Sequence, residues 1–138
     1  MDANGFVLSA LEKSAEYETL KRLKVVELPQ WMPAKKVLVD TDINFVISPR
    51  NDKEWTVETV PVEMGSFERR VDLPEAGAGL KDEELNKAAG ITDGIFVHKG
   101  RFIGVFGSRE TCILMIERAM REHMEASKKE LLEKFNKG

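Results

Sequence analysis

Apolar residues recur at helical spacing from about Gly5 to Leu23, where Phe6, Leu8, Leu11, Tyr17, Leu20 and Leu23 stand among glutamates, lysines and serines. That stripe predicts a first helix with Asn4 as its N-cap. A short apolar run, Val25 to Leu28, then meets Pro29, and Pro33 opens a brief helical turn before Lys35 to Val39. The pattern changes to that of strands in Ile43–Ile47 and Trp55–Val60, both rich in β-branched and aromatic residues. Between them Ser48–Glu54 reads as a polar, proline-containing turn. In the second strand Trp55, Val57 and Thr59 face one way and Thr56, Glu58 and Val60 the other, so one side reads as core and the other as partly wet.

From Pro61 to Gly79 glycines and prolines punctuate an irregular stretch. A helix from about Lys81 to Ala89 follows, with Asp82, Glu83 and Glu84 where the helix dipole favours negative charge and Gly90 just past its end. Ile95–His98 and Phe102–Phe106 flank Lys99-Gly100-Arg101 as a tight hairpin. Ser108 is placed to cap a long helix to about Phe135. This order of elements predicts an α+β fold, a mostly antiparallel sheet packed against helices, with a long C-terminal helix.

Composition bounds what such a fold can be. At 138 residues, 42% hydrophobic and 33% charged, residues 1–138 are expected to form one domain with a core of its own. No apolar run approaches the ~20 residues of a membrane span, and no basic-then-apolar leader opens the chain. A single cysteine, Cys112, excludes an intramolecular disulfide and a thiolate zinc cage and fits a reducing compartment, so a cytoplasmic location without membrane attachment is expected. The net charge of -3 speaks against coating nucleic acid through bulk charge and leaves room for a local basic patch.

Catalytic patterns are missing. His98 and His123 stand on different elements, and no zinc-protease, Asp-His-His or Cys-x-x-Cys spacing, nucleophile elbow or phosphate loop occurs. Cys112 lies in an apolar helical run, where an inert buried thiol is expected. The chemically suggestive segment is Phe96–Glu110, which combines His98, Lys99 and Arg101 with a glycine-serine entry into a helix. Helix N-termini attract phosphate or carboxylate. There Gly107 admits close backbone approach, Ser108 offers a hydroxyl and Arg109 a bidentate cation. The plainer alternative is a solvated hairpin tip and an ordinary serine cap. Arg69-Arg70 supplies a second cationic pair in the irregular stretch, while Trp31 and Trp55 are expected in the core.

Three blocks sharpen this picture. They are Pro61–Arg70, Leu73–Ala76 with Gly79–Leu85, and Gly90-Ile91 leading to Phe96–His98 and Phe102–Gly104. Together they resemble the C-terminal part of the melanocyte-proliferating-gene (MYG-type) exonuclease family, manganese-dependent relatives of the DHH phosphoesterases that act on RNA. The resemblance spans a core of about residues 24–120 and leaves 121–138 as a charged helical extension. The family's catalytic Asp-His-His domain lies N-terminal to the matching region, so the resemblance implies no catalytic and no metal-binding residues and no cofactor here. Met1 and the long terminal helix favour a separate accessory-domain homologue over an excised fragment.

In that superfamily the C-terminal domain holds the substrate's phosphates, which implies a non-catalytic binding module for a nucleotide or short oligonucleotide, one suited to sequestering it. The alternatives are an accessory domain or subunit that positions RNA for an exonuclease, and a structural interaction protein without a ligand. Arg69, Arg70, His98, Lys99, Arg101, Gly104, Gly107, Ser108 and Arg109 are the expected ligand-binding residues. The chain departs from the family at Gly77-Ala78, where the family has Trp-Arg, and at Gly104–Gly107, where it has Gly-Gly-Asn-Lys. Both changes imply altered ligand contacts. A further expectation concerns Ile113, Ile116, Met120, Met124, Leu131 and Phe135, an apolar stripe on a helix as long as the domain is wide. It is expected to serve homo-oligomer formation, or else to fold back against Phe6, Leu11 and the strands.

Overall fold

The computed structural model describes residues 2–137. The first helical stripe forms two helices, α1 (Ala3–Ser14) and α2 (Glu18–Leu23), where one was expected. The cap of α1 is Asp2, whose carboxylate accepts from the Gly5 amide at 2.9 Å, and Asn4 lies inside the helix. The break falls at Ser14, whose buried hydroxyl accepts the Glu27 amide at 3.0 Å. The amides of Glu16 and Tyr17 then turn to the carbonyls three residues back, which tightens the final turn and ends the helix.

Five strands make one sheet in the order β1-β2-β3-β5-β4: β1 (Val25–Glu27), β2 (Phe45–Asn51), β3 (Glu54–Thr59), β4 (Gly94–Val97) and β5 (Ile103–Phe106). β1 and β2 run parallel, joined through the short α3 (Lys35–Leu38); the other three pairings are antiparallel. The architecture is α+β. β2 runs further than expected, through Ser48 and Pro49, leaving only Asp52-Lys53 as the turn. Proline is accepted there because β1 pairs only as far as Ile47, so β2 is an edge strand from that point, and a register shift after Pro49 absorbs the irregularity.

Two apolar layers sandwich the β1–β2 end. Val25, Phe45, Ile47, Val57 and Phe106 belong to a core shared with α2, α4 (Asp82–Ala89) and α5 (Arg109–Lys137). The alternate positions Val26 and Val46, with Val60, pack with α1 and α3 on the opposite face. Strand alternation therefore produces burial on both sides, as a parallel pair requires. At the β3-β5-β4 end one face carries no helix among the described residues. Trp31 lies over it, with its indole N–H donating to Glu58 at 2.8 Å, and is 55% exposed instead of belonging to the core. Trp55 is partly buried against the larger core, as expected.

α4 ends at Gly90, which adopts the left-handed conformation of a C-cap. α5 buries Cys112, Met115, Ile116 and Ala119, and from His123 onward every described residue is exposed. The stripe does not fold back on Phe6 and Leu11. Leu11 packs in the layer across the sheet, and Phe135 is 82% exposed.

A candidate ligand-binding surface at the tip of the last hairpin

The β4–β5 connection runs from His98 to Phe102. It is closed by the His98 amide on the Ile103 carbonyl and the Arg101 amide on the His98 carbonyl, both at 2.9 Å. Its left-handed residue is Arg101 (φ 63°), not the glycine. The Arg101 Nε–H donates to the Leu73 carbonyl at 2.7 Å and ties the tip to the irregular stretch. Gly100 is tightly surrounded. A Cβ there would stand 3.1 Å from the Phe102 ring and 3.2 Å from His98 Nδ1.

Arg69 arrives at the tip from that irregular stretch. Its guanidinium lies 5.6 Å from the centroid of the Phe102 ring, a cation–π distance. It donates to the Gly100 carbonyl at 2.6 Å, to the Phe67 carbonyl, and to Asp72 at 3.3 Å. His98 packs against Phe102 with ring centroids 4.3 Å apart, and its Nδ1 accepts the Gly100 amide at 2.8 Å, so the neutral ring carries its proton on Nε2. The loop before Arg69 is closed by the Val62 amide on the Glu68 carbonyl at 2.9 Å and presents Phe67 at 91% exposure. Lys99 is exposed beside these groups. Arg69, Lys99 and Arg101 thus stand around the stacked rings of His98 and Phe102, with Phe67 exposed on the adjoining loop; Arg101 also lines a pocket with the carboxylates of Asp72, Glu75, Glu122 and Glu125.

The other expected residues lie elsewhere. Arg70 spends its guanidinium on three backbone carbonyls, Thr41 at 2.5 Å and Ile43 and Val39 at 2.7 Å, and so fixes the segment between α3 and β2. Gly104 lies within β5, where a Cβ would meet the Phe106 ring at 3.0 Å and Leu73 at 3.3 Å. Gly107, Ser108 and Arg109 stand at the opposite end of β5, about 13 Å from the tip at ~3.3 Å per residue. Gly107 closes on the protein itself: its amide donates to the Asp93 carbonyl at 2.7 Å, and a Cβ would sit 2.8 Å from that of Asp93. Ser108 caps α5 by accepting the Thr111 amide at 3.2 Å. The Thr111 hydroxyl in turn donates to Asp93 at 2.7 Å, so a carboxylate of this chain already stands at the helix N-terminus. Arg109 pairs with Glu27, Nε to Oε1 at 2.7 Å.

The departures from the family pattern now have a physical meaning. Val105 and Phe106, where the resemblance implies a glycine and an asparagine, are both 0% exposed, so these positions contribute to the core. The thiol of Cys112 is buried as well; desolvation, then the carboxylates of Asp93 and Glu110, push it up to about 12. Among the described residues no group of three or more His, Cys, Asp or Glu side chains is placed to hold a metal ion. No described helix is long and apolar enough to cross a membrane. Phe67 and Phe102 were not singled out from the sequence, although they alternate there with Arg69, Lys99 and Arg101, the cations beside which the fold places them.

Comparison with known proteins bears on most of the chain. A MYG1 protein of Caenorhabditis elegans is 33% identical over 128 residues, which cover 86% of this chain and 38% of that protein. A MYG1 protein of Saccharomyces cerevisiae is 34% identical over 118 residues, 80% of this chain and 34% of its own length. The MYG1 exonuclease of Homo sapiens is 42% identical over 73 residues, 53% of this chain and 19% of that enzyme. The chain thus spans between 19% and 38% of the length of these relatives. No solved structure matches it. The MYG1 exonuclease family model, described as an uncharacterised protein family (UPF0160), matches residues 1–120, and the chain belongs to that family.

Proposed function

We propose that this chain is a non-catalytic module that holds a phosphate-bearing ligand, a nucleotide or short single-stranded oligonucleotide, at the tip of the β4–β5 hairpin. The observation that carries the reading is the Arg69–Phe102–His98 stack with Lys99, Arg101 and the exposed Phe67 around it. Exposed rings offer faces on which bases stack, worth about 1–3 kcal/mol per base, while neighbouring cations meet the phosphates. Arg69 is largely occupied by carbonyls and Asp72, so it orients the rings, and Lys99 and the outer nitrogens of Arg101 are assigned to the phosphates.

Calorimetry against nucleoside monophosphates and short single-stranded RNA tests this. Replacing both Lys99 and Arg101 by Ala should weaken RNA binding and reduce the salt slope by about 1.4, at ~0.7 for each phosphate no longer neutralised. Phe67→Ala should weaken RNA more than a mononucleotide. Unchanged affinity in both variants rejects the site, and manganese-dependent turnover that copurifies with the chain rejects the non-catalytic assignment.

A second reading is favoured by the relatives named exonucleases, most of whose length lies outside the matched region. In it the chain positions RNA for hydrolysis performed by another part or subunit. Added to a relative's exonuclease reaction, a sequestering module slows turnover and a positioning module raises it.

A further inference from the structure

A groove of about 520 Å³ separates α1 from the β1 end and the head of α5. It stands at the far end of β5 from the hairpin tip, and its volume falls in the range of small-molecule sites, roughly 300–1,000 Å³. Its floor is made by the buried side chains of Ala10, Leu20 and Leu28. Two half-exposed rings, Phe6 at 46% and Tyr17 at 54%, stand at its rim. Tyr17 is there because the chain breaks between α1 and α2, so the irregularity that ends the first helix also shapes the mouth of the groove. The one polar group set deep in the wall, the Ser14 hydroxyl, is already engaged by the Glu27 amide. An apolar body can enter without stranding a polar atom.

The charges in the groove are unequal. Lys13 and Arg109 line it against Glu27 alone. Glu27 is committed to Arg109 through the Nε–H at 2.7 Å, which fixes the guanidinium and leaves its two terminal amino groups without a hydrogen bond to the described residues. Lys13 makes no ion pair with them either. A held guanidinium beside an unpaired ammonium, above an apolar floor, matches an anionic head joined to a flat apolar body.

We propose that this groove binds a small amphipathic anion, with its carboxylate or phosphate between Arg109 and Lys13 and its apolar body on Ala10, Leu20 and Leu28 between Phe6 and Tyr17. The site is distinct from the hairpin tip and does not depend on nucleotide binding there.

Three probes sharing one ring system test it on the full chain: 2-naphthoate, 2-naphthyl phosphate and the uncharged 2-naphthamide. Affinities come from calorimetry and the location of binding from amide chemical shifts. At least one of the two anions should bind about tenfold more tightly than the amide, and should shift residues of α1, Glu27–Pro29 and the head of α5. The tighter of the two identifies the preferred head group. Replacing Lys13 and Arg109 by Gln should abolish the discrimination. Ser9→Trp, on the exposed side of α1 at the groove wall, should block all three probes with thermal unfolding unchanged. Equal binding of anions and amide overturns the proposal, as do shifts confined to the hairpin tip or full binding by the Ser9→Trp variant.

Discussion

The hydroxyl of Thr111 donates to the carboxylate of Asp93 at 2.7 Å, across the N-terminus of α5. With Ser108 bridging to both the amide and the hydroxyl of Thr111, the head of the longest helix is neutralised from within the chain. Asp93→Ala should therefore cost about 1–2 kcal/mol, from the lost hydrogen bond and the lost charge at the helix dipole. Urea unfolding measures it. A loss below about 0.3 kcal/mol would mean that solvent replaces the carboxylate without penalty.

The same carboxylate acts on Cys112. Desolvation first, and then Asp93 and Glu110, raise its thiol to about 12 against an ordinary value of 9.0. The folded state thus keeps a proton that the unfolded chain releases. The resulting contribution to stability is complete below about pH 9 and is lost as the pH climbs from there toward 12. At pH 8 a thiol reagent should label the native protein far more slowly than the unfolded one. Rapid native labelling at a rate independent of urea would contradict this.

Arg70 serves a structural end, and its three carbonyl partners lie within five residues, Val39 to Ile43. Lysine keeps the charge but lacks the planar fork, so Arg70→Lys should destabilise by about 2–3 kcal/mol. Thermal unfolding of the variant checks the value. Full stability would show that one ammonium satisfies the same carbonyls.

Why some of this was legible in the sequence and some was not comes down to range. The strand pair around Val46 and Val57, the helix closed by Gly90 and the Ser108 cap all rest on signals within a few residues, and each was readable. The break after Ser14 was not, and the contact found there, the Glu27 amide on the Ser14 hydroxyl, comes from another element. Pro49 suggested a turn, and only the short reach of β1 makes it tolerable in a strand. The pair Arg69-Arg70 looks uniform in sequence; its two members turn to different carbonyls and do different work. Gly107 read as room for a ligand, and the room is taken by Asp93, fourteen residues earlier. Residue type was informative for local turns and caps, and uninformative wherever the partner came from a distant segment.

The exposed half of α5 leads to a fourth prediction. Met124, Leu131, Leu132 and Phe135 face solvent on a helix that continues about 22 Å beyond His123, at ~1.5 Å per residue. Light scattering should find the full chain self-associated and a chain stopped after His123 monomeric, with the same near-ultraviolet signal from Trp31 and Trp55. A full-length monomer at micromolar concentration removes the idea.

The pairing of β3 with β5 sets Trp55 opposite Phe106, residues that lie far apart in the chain. This seam joins an N-terminal piece ending in the β2–β3 hairpin to a C-terminal piece carrying the β4–β5 hairpin and α5. A nick in the loop near Gly65, which is exposed and lies outside every strand, would leave both pieces covalently intact on their own side of the seam. Each fragment alone would bear an unsatisfied row of amides and carbonyls, β3 on one and β5 on the other, together with half of the larger core. Halves of this kind are expected to complement one another when expressed separately, and also to stick to unrelated strands; the loop near Gly65 is the place to cut.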